Sequence, residues 1–146
     1  MGKAIGLATG NIEKHNEKMK RLRDRLLAGV LNISDCRLNG HPEKRLPDNL
    51  NFSFEYIEGE SLLLMLDEMG ICSSTGSACS SGSPEPSHVL RAIGLPPEIA
   101  QGSLRLSLGD DNSEEDIDYV LEVLPETVEK LRAMSPFYKP ENACKK

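Results

Sequence analysis

Apolar residues in the first thirty positions recur every three or four residues, which is the spacing of one face of an α-helix. The residues on this face are Ile5, Ala8, Ile12, Met19, Leu22 and Leu26. Gly29 follows them, and glycine commonly marks the end of a helix. The pattern predicts one long amphipathic helix over residues 1–30.

Two later segments alternate apolar and polar residues, as strands with one buried face do. In NLNFSFEY the predicted inner face carries Leu50, Phe52, Phe54 and Tyr56, while Asn51, Ser53 and Glu55 point to the other side. In SLRLSL the inner face carries Leu104, Leu106 and Leu108. Arg105 must therefore point to the outer face, together with Ser103 and Ser107.

Several shorter elements are also predicted. GESLLLMLDEMG favours a short buried helix closed by Gly70, followed by a brief strand at Ile71 and Cys72. Ser87 is placed to cap a short helix that runs through Ile93. The Asn39-Gly40 pair indicates a turn before the first predicted strand.

A last helix is predicted near the end of the chain. Ser113 and Asp116 have the spacing of a capping box. Pro125 lies inside this helix and is expected to kink it. Its apolar face is formed by Ile117, Leu121, Leu124, Val128 and Leu131.

This order of elements predicts the α/β class, as a two-layer sandwich with helices on one face of a small, mostly antiparallel sheet. The 146 residues suffice for one domain. We expect it to span residues 1–135, with a flexible tail over residues 136–146. The chain opens directly with the long helix, as though a preceding element had been removed, which suggests a fragment.

Composition excludes several classes of function. The net charge of −6, with 23 acidic against 17 basic residues, offers no basic surface for a nucleic acid. The sequence also lacks a run of about 18 apolar residues that could span a membrane, and lacks the hydrophobic segment of a secretory signal. We therefore expect a cytoplasmic protein with no nucleic-acid or membrane partner.

The four cysteines differ in their surroundings. Cys36, Cys72 and Cys144 are best read as small buried apolar residues, or as residues without a role. The spacing from Cys72 to Cys79 matches no structural zinc motif, so no metal site is predicted. Cys79 stands in SSTGSACSSGS, a segment too polar and too rich in small residues to bury a thiol.

Cys79 is therefore a candidate nucleophile, because a reactive thiol needs access to its substrate. The segment around it is expected to form a mobile loop that includes Ser73, Ser74, Gly76, Ser77, Ala78, Ser80, Ser81 and Gly82. Arg105 allows two readings. It is either a solvated charge on an edge strand, or a guanidinium that binds a carboxylate on a polar face.

Three segments together resemble the C-terminal portion of NifS/IscS-type cysteine desulfurases, pyridoxal-phosphate enzymes of the class V aminotransferase group. They are RLPDNLNFSF, the run GSACSSGSPEPSHVLRAIGLPPEIAQGSLRLSLG, and LRAMSPFY. The resemblance covers nearly the whole chain. It implies the C-terminal small domain of a fold-type I pyridoxal-phosphate transferase, and the GSAC loop is similar to the longer of the two loop types in these enzymes.

The resemblance implies roles for both candidate residues. Cys79 matches the loop cysteine that takes sulfur from L-cysteine as a persulfide, which releases L-alanine and passes the sulfur to an acceptor. Arg105 matches the arginine that binds the substrate carboxylate. An iron–sulfur scaffold protein is the implied acceptor, and the large domain of the same enzyme is the implied packing partner.

The chain departs from the family in one respect. Family members are more than twice as long, and their large domain supplies the cofactor lysine, for which no lysine here has the matching context. Two hypotheses follow. The chain is the small domain of a desulfurase, inactive alone and binding no cofactor alone, or it is a non-enzymatic sulfur carrier or scaffold-docking module. In either case an uncovered apolar patch is expected to cause self-association.

Overall fold

The computed structural model describes residues 1–76 and 87–139. Its elements, in chain order, are α1 (Gly2–Gly10), α2 (Ile12–Val30), β1 (Cys36–Leu38), β2 (Asn49–Phe54), α3 (Gly59–Glu68), α4 (His88–Ala92), α5 (Pro97–Gln101), β3 (Ser103–Ser107) and α6 (Glu114–Met134). The three strands form an antiparallel sheet in the order β1-β2-β3. Helices packed on a small antiparallel sheet confirm the predicted fold class.

One apolar face of the sheet packs with three helices into a single core. Phe52 and Phe54 of β2 and Leu104 of β3 are fully buried in it. They lie in one cluster with residues of α2, α3 and α6, namely Met19, Leu22, Leu26, Leu62, Leu66, Ile117, Leu124 and Val128. This is the burial that the alternating and helical patterns predicted.

The prediction of one continuous helix over residues 1–30 is wrong. Asn11 leaves the helical conformation at φ −132° and ψ 18° and separates α1 from α2. Gly10 and Asn11 both disfavour a helix interior, and every residue of α1 is exposed, so no packing offsets that preference. Ile5 and Ile12 of the predicted apolar face are exposed, and burial begins only at Met19.

Helix α2 ends at Val30, one residue after Gly29, as predicted. A Cβ atom at Gly29 would overlap the side chain of Leu121 in α6. The glycine thus also permits close packing of the two helices.

Three smaller predictions also need correction. Tyr56 lies beyond the end of β2 at φ 68° and does not continue its inner face. Ile71 and Cys72 form no strand; the pairing at this point is a single bridge between Ser74 and Arg105. Ser87 occupies the position before α4, but its side chain makes no capping hydrogen bond.

Other local predictions are confirmed. Helix α3 forms as expected, and Gly70 follows it at φ 77°, a conformation that favours glycine. The capping box at α6 is complete, because the Ser113 side chain accepts from the Asp116 amide and the Asp116 carboxylate accepts from the Ser113 amide. Helix α6 continues through Pro125. The kink there stays a prediction.

The beginning of the predicted tail contacts the rest of the chain. The Tyr138 ring lies 5.7 Å from the Tyr56 ring, and the Arg132 guanidinium lies over it. Residues 140–146 lie outside the described residues. Within the described ranges, no helix has the length and apolar character needed to cross a bilayer.

Candidate functional site

The second face of the sheet is polar and carries the candidate arginine. The register pairs Asn51 with Arg105, Ser53 with Ser103, and Asn49 with Ser107. Directly paired residues of antiparallel strands project to the same side, so these side chains share the face opposite the core. Arg105 is exposed there. We call this surface the polar face.

A neighbouring segment runs along the free edge of β3 and approaches the same face. The backbone amide of Ser74 donates to the carbonyl of Arg105 at 3.1 Å, and the Arg105 amide donates back to Ser74. The Ser103 hydroxyl donates to the carbonyl of Thr75 at 3.1 Å. The chain that leads toward Cys79 is thus fixed to the strand that carries Arg105.

Two asparagines of the polar face form a hydrogen-bonded pair. The amide nitrogen Nδ2 of Asn39 lies 2.7 Å from Oδ1 of Asn51 and 2.9 Å from the hydroxyl of Ser53. The sequence pattern had placed Asn51 on the outer face of its strand, but Asn39 was predicted only as part of a turn. Gly40 does adopt φ 82° in that turn. No local signal in the sequence shows that Asn39 pairs with Asn51.

The sequence profile of one protein family, Aminotransferase class-V, matches residues 1–120 of the chain. The chain belongs to this family.

Two curated relatives share more than half of their aligned residues with this chain. The chain is 62% identical over 136 residues to cysteine desulfurase IscS of Methanosarcina thermophila, covering 93% of this chain and 34% of that protein. It is 58% identical over 141 residues to cysteine desulfurase IscS of Clostridium botulinum strain Hall, covering 94% and 36%. The chain thus spans about a third of the length of the curated relatives that it matches.

Solved structures agree with the fold. A NifS-like protein is 32% identical, with a TM-score of 0.76 over 88% of this chain and 32% of the other. A NifS-like protein from Rickettsia africae is 27% identical, with a TM-score of 0.77 over 88% of this chain and 33% of the other. The described fold is therefore similar to that of about a third of each of those proteins.

The structure describes only part of the predicted loop. Ser73, Ser74 and Gly76 are described, and the hydroxyl of Ser73 is buried without a hydrogen-bond partner among the described residues. The other predicted loop residues lie outside the described residues; they are Ser77, Ala78, Cys79, Ser80, Ser81 and Gly82. The nucleophile and the mobility of its loop stay predictions.

The remaining cysteines of the chain differ in their surroundings. Burial raises the pKa of the Cys36 thiol to about 12, with a smaller opposing effect of the Arg132 charge. Cys36 is partly buried against the core, which agrees with its interpretation as a small apolar residue. Cys72 is exposed, so it is not a buried apolar residue. Cys144 lies outside the described residues.

The described residues do not fit the lysine-bound cofactor of the family. The described lysines lie on α1, α2 and α6, in the loop before β2 and in the tail; they are Lys3, Lys14, Lys18, Lys20, Lys44, Lys130 and Lys139. None of them belongs to a strand of the polar face, and all but Lys18 are exposed. Lys18 instead donates to the carbonyl of Asp110. Residues 1–76 and 87–139 also hold no cluster of three potential metal ligands.

Proposed function

We propose that this chain is the small domain of a cysteine desulfurase, which converts L-cysteine to L-alanine. Arg105 binds the carboxylate of L-cysteine, and Cys79 takes up the sulfur atom as a persulfide. The proposal goes beyond family membership, and the names of its 62% and 58% identical relatives support it.

One observation carries the proposal. The backbone of Ser74 is paired with the backbone of Arg105, and Cys79 follows Ser74 by only five positions in the sequence. Five residues can extend at most about 18 Å. This tether keeps Cys79 within reach of a substrate whose carboxylate is held at Arg105.

The division of labour follows from the chemistry of the two residues. A guanidinium presents a planar fork of donors that matches a carboxylate, and it stays protonated at any physiological pH. A thiolate is the nucleophile that can take over a sulfur atom. Pyridoxal phosphate belongs to the complete enzyme, and we propose that the rest of that enzyme holds it, since no described lysine lies at the polar face.

We propose that the large domain of the same enzyme packs against α1. Ile5 and Leu7 of α1 and Ile12 at the start of α2 are 56%, 65% and 52% exposed, which leaves apolar surface for a partner. Without that domain the chain should self-associate. We also propose a cytoplasmic location and an iron–sulfur scaffold protein as the sulfur acceptor.

The test uses the complete protein that contains this chain, supplied with pyridoxal phosphate and L-cysteine. Equal amounts of L-alanine and sulfide are expected when a thiol reductant is present. Cys79→Ala should abolish persulfide formation, measured as ³⁵S bound to the protein, while cofactor absorbance stays unchanged. Cys72→Ala is the matched control, because Cys72 is an exposed cysteine that precedes Ser74 in the same segment. Full sulfide release by Cys79→Ala would refute the assignment.

A second assay separates the alternative function. The chain alone is mixed with pyridoxal phosphate and L-cysteine, and its absorbance and L-alanine production are followed. We expect neither a cofactor band nor L-alanine. If the complete protein is also inactive, but the chain accepts a persulfide on Cys79 from a separate desulfurase, then the sulfur-carrier hypothesis replaces the proposal.

A further inference from the structure

We propose that Asn51 is a second donor to the substrate carboxylate at Arg105, and that Asn39 is the positioning residue that orients it. The inference rests on the proposed function and adds a specificity determinant to the same site. It assigns a role to the side-chain pair that sequence reasoning had missed.

The register of the sheet places Asn51 beside Arg105. The two residues are direct partners in the pairing of β2 with β3, and such partners have Cβ atoms about 4.5–5.5 Å apart. The flanking pairs Leu50–Leu106 and Phe52–Leu104 are buried on the other face. A slip of one residue would expose these side chains, so the core fixes the position of Asn51 opposite Arg105.

Asn39 determines which end of the Asn51 amide points outward. Asn39 is only 5% exposed, and its backbone amide donates to the Asn51 carbonyl at 2.8 Å. Its side-chain Nδ2 donates to Oδ1 of Asn51 at 2.7 Å. Because the acceptor oxygen of Asn51 is already engaged, its Nδ2 group is the end left to face a ligand.

A further side chain holds this arrangement in place. Arg45 donates from Nη2 to the carbonyl of Asn39 at 2.7 Å and from Nε to the carbonyl of His41 at 2.8 Å. The loop between β1 and β2 is thus fixed around Asn39. The Asn51 amide nitrogen lies 3.8 Å from the place where a Cβ of Gly76 would be, so it points toward the segment that precedes Cys79.

The charge of this surface suits an anion. The described strands β1, β2 and β3 contain two arginines, Arg37 and Arg105, and no acidic residue. A carboxylate accepts several hydrogen bonds, so an amide donor next to a guanidinium adds one without competing for the ligand. A neutral amide also leaves Arg105 free, whereas an aspartate at the same place would pair with it.

The test measures kcat and KM for L-cysteine in the complete enzyme, first for the wild type. A contact made equally in the ground state and the transition state changes KM and leaves kcat unchanged. Asn51→Ala should raise KM about tenfold, the expected loss for one hydrogen bond to a charged group. Asn51→Asp should raise KM further, and Asn51→Gln should recover part of the loss because it keeps the donor.

Asn49→Ala is the matched control, since Asn49 lies on the same strand and face but pairs with Ser107. It should leave KM unchanged. Thermal unfolding of each variant reports any general loss of structure. The inference fails if Asn51→Ala has the wild-type KM, or if Asn49→Ala raises KM as much. An inactive wild-type enzyme would instead refute the proposed function.

Discussion

The two faces of the sheet are made by the same strands, yet they do different work. On one face Leu50, Phe52 and Leu104 are buried under α2, α3 and α6. On the other, Asn51 and Arg105 project from the neighbouring positions of those strands. Alternation along a strand thus separates residues that stabilise the fold from residues available for a ligand.

The positions of the polar residues depend on the packing of the opposite face. Arg105 and Asn51 can face each other only because their apolar neighbours fix the register. The comparison predicts that substitutions on the core face reduce stability, whereas exposed substitutions on the polar face change ligand binding.

The largest contrast is expected between Phe52→Ala and Arg105→Ala. Phe52 is fully buried, so its loss should reduce the free energy of unfolding by about 3–5 kcal/mol. Arg105 is exposed, and its loss should change that free energy by no more than about 0.5 kcal/mol. Urea denaturation of the chain measures both values.

In the complete enzyme the ranking should reverse. If Arg105 binds the carboxylate of L-cysteine as proposed, Arg105→Ala should raise KM roughly ten- to a hundredfold, because that charge-assisted contact is lost. A wild-type KM in this variant would show that Arg105 is only a solvated charge. If Arg105→Ala lost as much stability as Phe52→Ala, the two faces of the sheet would not differ in their contribution to stability.

Gly102→Ala should be the next most damaging change. A Cβ at Gly102 would overlap the carbonyl oxygen of Phe54, where the backbone cannot move without disturbing the start of β3. We expect a loss of roughly 1–3 kcal/mol, the cost of overfilling a packed site. Gly6→Ala is the control, because nothing lies within 4 Å of that position. Equal stability of the two variants would contradict this account.

Several features of this structure could be predicted from the sequence, because each depends on a local pattern with a single physical explanation. Alternation identified the buried faces of β2 and β3, and the Ser113–Asp116 spacing identified the cap of α6. Arg105 followed from the same alternation. These signals are local, because each depends on residues close together in the chain.

The errors have long-range causes. Gly29 lies at the predicted end of its helix, but its contact with Leu121, which lies 92 positions later, could not be predicted. The apolar residues of α1 were expected on a continuous helical face, but every residue of α1 is exposed, and the helix breaks at Asn11. The Asn39–Asn51 pair joins two strands, so neither residue's neighbours could indicate it.

Cys36 gives a test that depends on pH. It pairs with Phe54 on the core face, and burial raises the pKa of its thiol to about 12 from a model-peptide value of 9.0. The folded chain therefore favours the protonated thiol. This contribution to stability is complete below pH 9.0 and is lost as pH rises toward about 12.

The measurement compares the free energy of unfolding of the wild type and Cys36→Ala at pH 8 and pH 10. Groups other than Cys36 titrate alike in both proteins, so the wild type should lose more stability than the variant between the two values. Iodoacetamide should also alkylate Cys36 more slowly than exposed Cys72 in the native chain. Parallel pH profiles would show that the thiol is not desolvated.

The smallest expected effect on the free energy of unfolding distinguishes two serines of the polar face. Ser103 and Ser107 lie on the same side of β3, but Ser103 is buried and donates to the carbonyl of Thr75, whereas Ser107 is exposed and accepts from Asn49. Ser103→Ala should cost about 1 kcal/mol of unfolding free energy, because it leaves the Thr75 carbonyl without this donor. Ser107→Ala should change that free energy by less than about 0.5 kcal/mol. Equal effects would mean that the segment leading to Cys79 is held to β3 by the Ser74 backbone bridge and not by Ser103. A selective loss at Ser103 would show that the polar face also fixes the segment that contains Thr75.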